Sequence, residues 1–249
     1  MNEFMEQFDS WLISGSDIAA ITMRRRLESV EGDKAIIFPP TYPVEKNKAG
    51  YNIDPVDGDI KNICQVDSVG AQANRMEPIF ARKPYSVLVP QVQIKATVDS
   101  QVRTVNLLDA GHRAADAIVR FSTLGPKFHE AFQAMKDNGD ASLMAKLAPT
   151  SLVFGVWDSR STQIKLPRVL RSVIRAYNVD ELKRSAQYTT IAGEILEGPD
   201  VEITTKGVKA ELGLAHVPAV KTPGGVHVQG EIRQESVLNF VAIRALAGC

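Results

Sequence analysis

Residues 85–121 read YSVLVPQVQIKATVDSQVRTVNLLDAGHRAADAIVRF. Residues 85–97 carry β-branched side chains in alternation, which predicts a strand, and Pro90 inside it makes that strand an edge or a bulge. A second strand is expected over 102–108. Asp109 then supplies a cap for a helix over 111–121. Strand, strand and helix therefore follow one another within a short stretch, which points to an α+β or α/β sandwich.

Working outward, the same mixture continues on both sides. Phe4, Phe8, Trp11 and Leu12 fall at helical spacing, predicting an amphipathic helix over 3–13. Residues 35–38 (AIIF) read as a strand stopped by Pro39 and Pro40. The polar stretch 45–62 reads as a loop. A helix is expected over 68–80 with Asp67 or Ser68 as its cap. Helices are expected over 127–137 and 141–147, and a buried strand over 151–157 (SLVFGVW). From 186 to 233, short β-type runs alternate with Lys-Gly and Pro-Gly-Gly turns, either as a projecting hairpin or as a meander within the sheet. An apolar helix is expected over 236–247. Ending two residues before the terminus, it either packs closely or leads into a further tail.

Composition bounds the function. With 249 residues, 44% hydrophobic and 23% charged, the chain has enough apolar material for a buried core. One domain over 1–249 with an insertion at 186–233 is the expected organisation. Formal net charge is zero, from 29 basic and 29 acidic residues, which argues against a protein coated in positive charge. It leaves room for a local basic groove offset elsewhere by acids such as Glu3, Glu6, Glu194 and Glu197. The two cysteines, Cys64 and Cys249, lie far apart without metal-ligand spacing, so neither a disulfide framework nor a zinc site is expected. The acidic N-terminus and the lack of a long apolar run lead to the expectation of a cytoplasmic protein.

The block most suggestive of chemistry is 154–175, FGVWDSRSTQIKLPRVLRSVIR. No acid follows Asp158 before Asp180, while Arg160, Lys165, Arg168, Arg171 and Arg175 all fall inside. On a helix, Arg168, Arg171 and Arg175 share a face; on a strand only Arg171 and Arg175 do. Either arrangement suits a phosphate-tracking surface, against the plainer alternative of a solvated cationic face paired with distant acids. A second block, 66–77 (VDSVGAQANRME), places Gln72, Asn74 and Arg75 near an expected helix start, where free amides favour an anion. Arg24, Arg25 and Arg26 follow one another on an expected strand, with Arg25 pointing opposite to its neighbours.

His112 and Asp116 are one helical turn apart, as a base and its orienting acid would be. Ser68, Ser151 and Ser159 are the candidate nucleophiles, and Asp67, Glu77, His112 and Asp116 the candidate metal set. No hydrolase or zinc-site signature accompanies them, so catalysis and a bound metal are not expected. Aromatic residues make up only 6% and no RNA-recognition aromatic pair is present, so stacking of bases on the sheet face is not expected either.

Taken in order, IIFPPTY (36–42), DSVGAQANRME (67–77), GHRAADA (111–117), SLVFGVWDSR (151–160) and PRVLRS (167–172) resemble the backbone subunit of type I-U, or type I-G, CRISPR surveillance complexes, within the RAMP superfamily. That resemblance implies an RRM-like βαββαβ core with helical insertions and a thumb-like β-hairpin, for which 186–233 is the candidate and 45–62 the alternative. It implies non-catalytic binding of CRISPR RNA without a cofactor. Other copies of the chain would line up in a filament beside the remaining subunits, and target DNA would be reached through the guide. Gln72, Asn74, Arg75, His112 and Arg113 occupy the motif positions expected to face RNA. Arg160 and Arg168 extend that surface, and Arg25, Lys165 and Arg171 complete the candidate set. The rival reading is a nuclease on the same fold, using His112 with Asp67 or Asp116.

Overall fold

The computed structural model describes residues 2–46, 48–188, 207–212 and 217–247. The strands are β1 (Ala20–Leu27), β2 (Ile36–Ile37), β3 (Tyr42–Glu45), β4 (Lys48–Gly50), β5 (Ile53–Pro55), β6 (Asn62–Asp67), β7 (Gln93–Val98), β8 (Gln101–Asn106), β9 (Val156–Trp157), β10 (Lys165–Leu166), β11 (Leu170–Tyr177), β12 (Val179–Tyr188), β13 (Val217–Val228) and β14 (Ile232–Asn239). The helices are α1 (Asn2–Leu12), α2 (Val69–Met76), α3 (Ala117–Arg120), α4 (Gly125–Asn138), α5 (Ser142–Leu147), α6 (Pro149–Phe154), α7 (Val208–Glu211) and α8 (Phe240–Ala247). This is a mixed α+β fold with antiparallel sheets.

The largest sheet has the order β1-β14-β11-β6-β5. Its registers are antiparallel: Ala176 pairs with Cys64, Asn239 N–H donates to Val169, and Phe240 N–H donates to Ala19. The α+β class of the expectation is present, built on antiparallel sheets.

Contacts resolve the chain into two compact units. The first comprises residues 1–25, 68–173 and 234–249; the second comprises 26–67 and 174–233. The first has its own core, into which α4 presents Phe128, Ala131, Phe132 and Met135 at helical spacing against Val119, Met144, Leu152 and Val156. Gly139, at φ +72°, ends α4 in the left-handed conformation that glycine adopts without a Cβ penalty. The second unit has a smaller core of Tyr51, Cys64, Ala176, Val179 and Val226. There the Tyr51 hydroxyl accepts a 2.8 Å hydrogen bond from Gly225 N–H.

Several local expectations are corrected. Residues 151–154 are not a strand: Pro149 sits in the first turn of α6, and Gly155 stops the helix just before the short β9. The helix expected over 111–121 is broken at Asp116, whose extended backbone and side-chain cap on Ile118 N–H start α3 afresh. The strand expected from residue 85 begins only at Gln93, because Tyr85–Val87 form a 3-10 turn. The stretch 45–62 contains β4 and β5, and residues 236–239 finish β14 before α8 begins.

Of the candidate thumb at 186–233, residues 189–206 and 213–216 lie outside the described residues. The flanking strands β12 and β13 form a long antiparallel pair, from Val179 opposite Val228 to Tyr188 opposite Val217. Consecutive residues 183–186 are exposed, so this outer part of β12 is open on both faces. The β7–β8 ribbon is likewise exposed over 99–104.

Candidate nucleic-acid interface

The site lies within the first unit. Four segments remote in sequence meet there: α2, the turn 111–113, the α6–β9 junction, and the strand entry at 168. They meet around Arg113, which is buried. Its Nε lies 2.7 Å from Glu77 Oε2; one terminal nitrogen donates to Asn74 Oδ1 at 2.9 Å and the other to Gly155 C=O at 3.3 Å. The guanidinium also lies 5.6 Å from the centre of the Phe154 ring. A planar fork reaches this many acceptors at once; a lysine ammonium would not. Arg113 adopts φ +51°, an uncommon backbone state for a non-glycine residue.

Burial dominates the electrostatics of this pair. It pushes the Glu77 carboxyl up, against the opposing hydrogen bond from Thr150 and the charge of Arg113. It pulls Arg113 down; Glu77 opposes this, while the like charge of Arg168 adds to it. Arg113 is thus a structural hub and does not face solvent, which corrects its expected place on the RNA-facing surface.

Gln72 is turned inward as well. Its Oε1 accepts hydrogen bonds from Ser172 Oγ at 3.0 Å and Gln234 Nε2 at 3.1 Å, and Ser236 Oγ donates to Ser172 at 2.8 Å. This buried polar cluster seats α2 on β11 and β14. The helix itself runs only from Val69 to Met76. Ser68 caps it by accepting from Ala71 N–H, and Arg75 falls in its last turn rather than near its start. The anion site expected at free helix amides is therefore not formed around Arg75.

Arg25, Asn74, Arg75, His112, Arg160, Lys165, Arg168 and Arg171 are exposed. Arg168 leans across the hub: a Cβ placed on Gly155 would lie 2.8 Å from its Cγ, and one on Gly70 would lie 3.8 Å from a terminal nitrogen. Gly155, at φ +75°, also approaches the Leu166 carbonyl, so the close packing here requires glycine. Among the described residues, no ion pair joins Arg160, Lys165, Arg168 or Arg171 to a carboxylate. The strand reading of 170–177 is the one realised, with a bulge between Ile174 and Arg175 that interrupts the two-residue period. On β1, Arg24 lies 3.4 Å from Glu235.

Asp158, the acid inside the cationic block, is buried. It accepts from Thr162 N–H at 2.7 Å and from the Thr162 hydroxyl at 2.8 Å. Burial alone would raise its carboxyl; the hydrogen bonds prevail and hold it below the usual carboxylate range. Its charge is thereby spent inside the β9–β10 loop, and the outward side chains there are cationic or neutral. One of them, Trp157, was not among the expected site residues. It is 60% exposed, and Lys165 Nζ sits 5.8 Å from the centre of its ring. The available signal was a tryptophan just before Asp158, at the head of the cationic run.

Several of the residues considered for catalysis make local hydrogen bonds. Asp116 accepts from His112 N–H and Ile118 N–H, Ser151 Oγ accepts from Ala114 N–H, and Asp67 belongs to the second unit. Among the described residues no group of three His, Cys, Asp or Glu side chains is placed to hold a metal.

The fold and site thus define an α+β protein with a buried arginine hub, beside which Arg168 is exposed. The family model described as CRISPR-associated protein GSU0053 matches residues 21–181, more than half of the chain and the whole of this hub. The chain belongs to that CRISPR-associated family, which points to a role in CRISPR defence. No curated protein matches it. No described helix is long and apolar enough to cross a membrane.

Proposed function

We propose that this protein is the repeated backbone subunit of a CRISPR surveillance complex and holds CRISPR RNA by its sugar-phosphate chain without cutting it. The observation that carries the reading is the convergence of four remote sequence blocks on Arg113, beside which Arg168 is exposed and free of any carboxylate among the described residues. Arg160 in the β9–β10 loop, Lys165 on β10 and Arg171 on β11 flank Arg168 in the chain, and each such cation can neutralise a phosphate. Affinity should fall with salt at a log–log slope of about −0.7 per phosphate for a single strand. A few contacts per copy, repeated along a guide, sum to tight holding. Sequence reading of target DNA is then left to base pairing with the guide. The outer part of β12, exposed over 183–186, is the arm we assign to contact with a neighbouring copy.

Charge reversal at Arg168 and Arg171 should abolish RNA co-purification, read from the absorbance ratio at 260 and 280 nm, with the circular dichroism spectrum unchanged. RNA retained by a folded variant would overturn the site. His112→Ala should weaken RNA retention without changing any cleavage; loss of a metal-dependent cutting activity would instead establish the nuclease reading.

A further inference from the structure

The geometry points to Trp157 as a stacking platform for a base of single-stranded RNA, which adds base contact to the backbone-holding site and rests on that reading. Trp157 and Lys165 are direct partners in the β9–β10 register, so their side chains share one face of the ribbon. Lys165 lies over the indole ring, yet the tryptophan remains 60% exposed. Leaving so large an apolar ring open to water forgoes the burial that normally stabilises it.

The surroundings select the occupant. Arg160 and Arg168 are exposed nearby in the chain, and Asp158 is buried and hydrogen-bonded to Thr162, so no outward acid opposes an anion within 154–175. An indole with Lys165 over its ring, in a stretch whose one acid is buried, matches a ligand that is planar and aromatic on one side and anionic on the other. A nucleotide within a single strand has both features, and aromatic stacking tolerates every base because each has a π-face. Trp11, the other tryptophan of the chain, is occupied: its ring centre lies 5.1 Å from Phe8 and 5.7 Å from Phe240.

The test uses the full chain and a labelled single-stranded uridine oligonucleotide, with an abasic oligonucleotide of equal length as control, titrated across salt. Trp157→Ala should weaken binding to the uridine strand by about 5- to 150-fold without changing the salt slope. Trp157→Phe should retain most of the affinity. Arg168→Gln should reduce the slope by about 0.7. Wild type and Trp157→Ala should bind the abasic strand equally. In a Trp11→Phe background, the uridine strand should quench the remaining tryptophan emission. Equal affinity of Trp157→Ala and wild type for the uridine strand, or an equal loss on the abasic strand, overturns the stacking role while leaving backbone holding intact. Failure of the wild type to bind either strand sinks backbone holding itself.

Discussion

At the residue scale, Arg113 illustrates how position changes the meaning of a cation. Its guanidinium is spent on Glu77, Asn74 and Gly155, so it organises the fold from within. Arg113→Ala leaves a buried carboxylate uncompensated and should destabilise the fold by about 3–5 kcal/mol in urea unfolding. The paired Arg113→Met, Glu77→Leu variant, of similar volume and uncharged, should recover most of that loss. Asp158 provides a pH-dependent counterpart. Its folded carboxyl is held below its unfolded value, so its contribution is present above the unfolded value and is lost as pH falls through the depressed one. Asp158→Asn should therefore lower stability at neutral pH, by about 2 kcal/mol, and flatten the acid limb of the stability curve.

At the scale of elements, the junction of α6 with β9 decides where Arg168 points. Gly155 has φ +75° and ψ 151°, a conformation open essentially to glycine alone. Gly155→Ala should cost about 1–3 kcal/mol in thermal or urea unfolding. Because the added Cβ would meet Arg168 Cγ, it should also weaken RNA binding beyond what the stability loss explains. The helices α4 and α5 were readable because their apolar residues recur at helical spacing and little competes with that pattern. The segment 151–157 was misread because SLVFGVW is a continuous apolar run. Such a run fits a buried helix or a buried strand equally, and its neighbours Pro149 and Gly155 settle the choice. The bulge at Ile174 and Arg175 was likewise invisible, since it arises from pairing with β6.

At the scale of the whole molecule, the two units invite separate probes. In the second, burial and the charge of Glu181 push the Cys64 thiol from 9.0 up to about 11. The folded state then binds the thiol proton more tightly than the unfolded one, so stability falls as pH rises through this window. Cys64→Ala should remove that component of alkaline loss. In a Cys249→Ser background, modification of Cys64 by a thiol reagent should remain slow and report opening of the second unit. In the first unit, α1 and α8 are joined by the Trp11–Phe240 contact and by Arg244 donating to the Trp11 carbonyl at 2.7 Å. Removing residues 1–12 should lower its melting temperature.

The amino-acid order alone determined the α+β class, the long amphipathic α4, the cationic run 154–175 and the blocks of residues that carry the family resemblance. These are local properties of spacing and composition. Tertiary structure decided which of those cations reach solvent, sent Gln72 and Arg113 inward, consumed Asp158 and left Trp157 open. Burial and pairing are set by partners dozens of residues away in the chain, such as Asn74 and Gly155 around Arg113, and no periodicity within a segment encodes them.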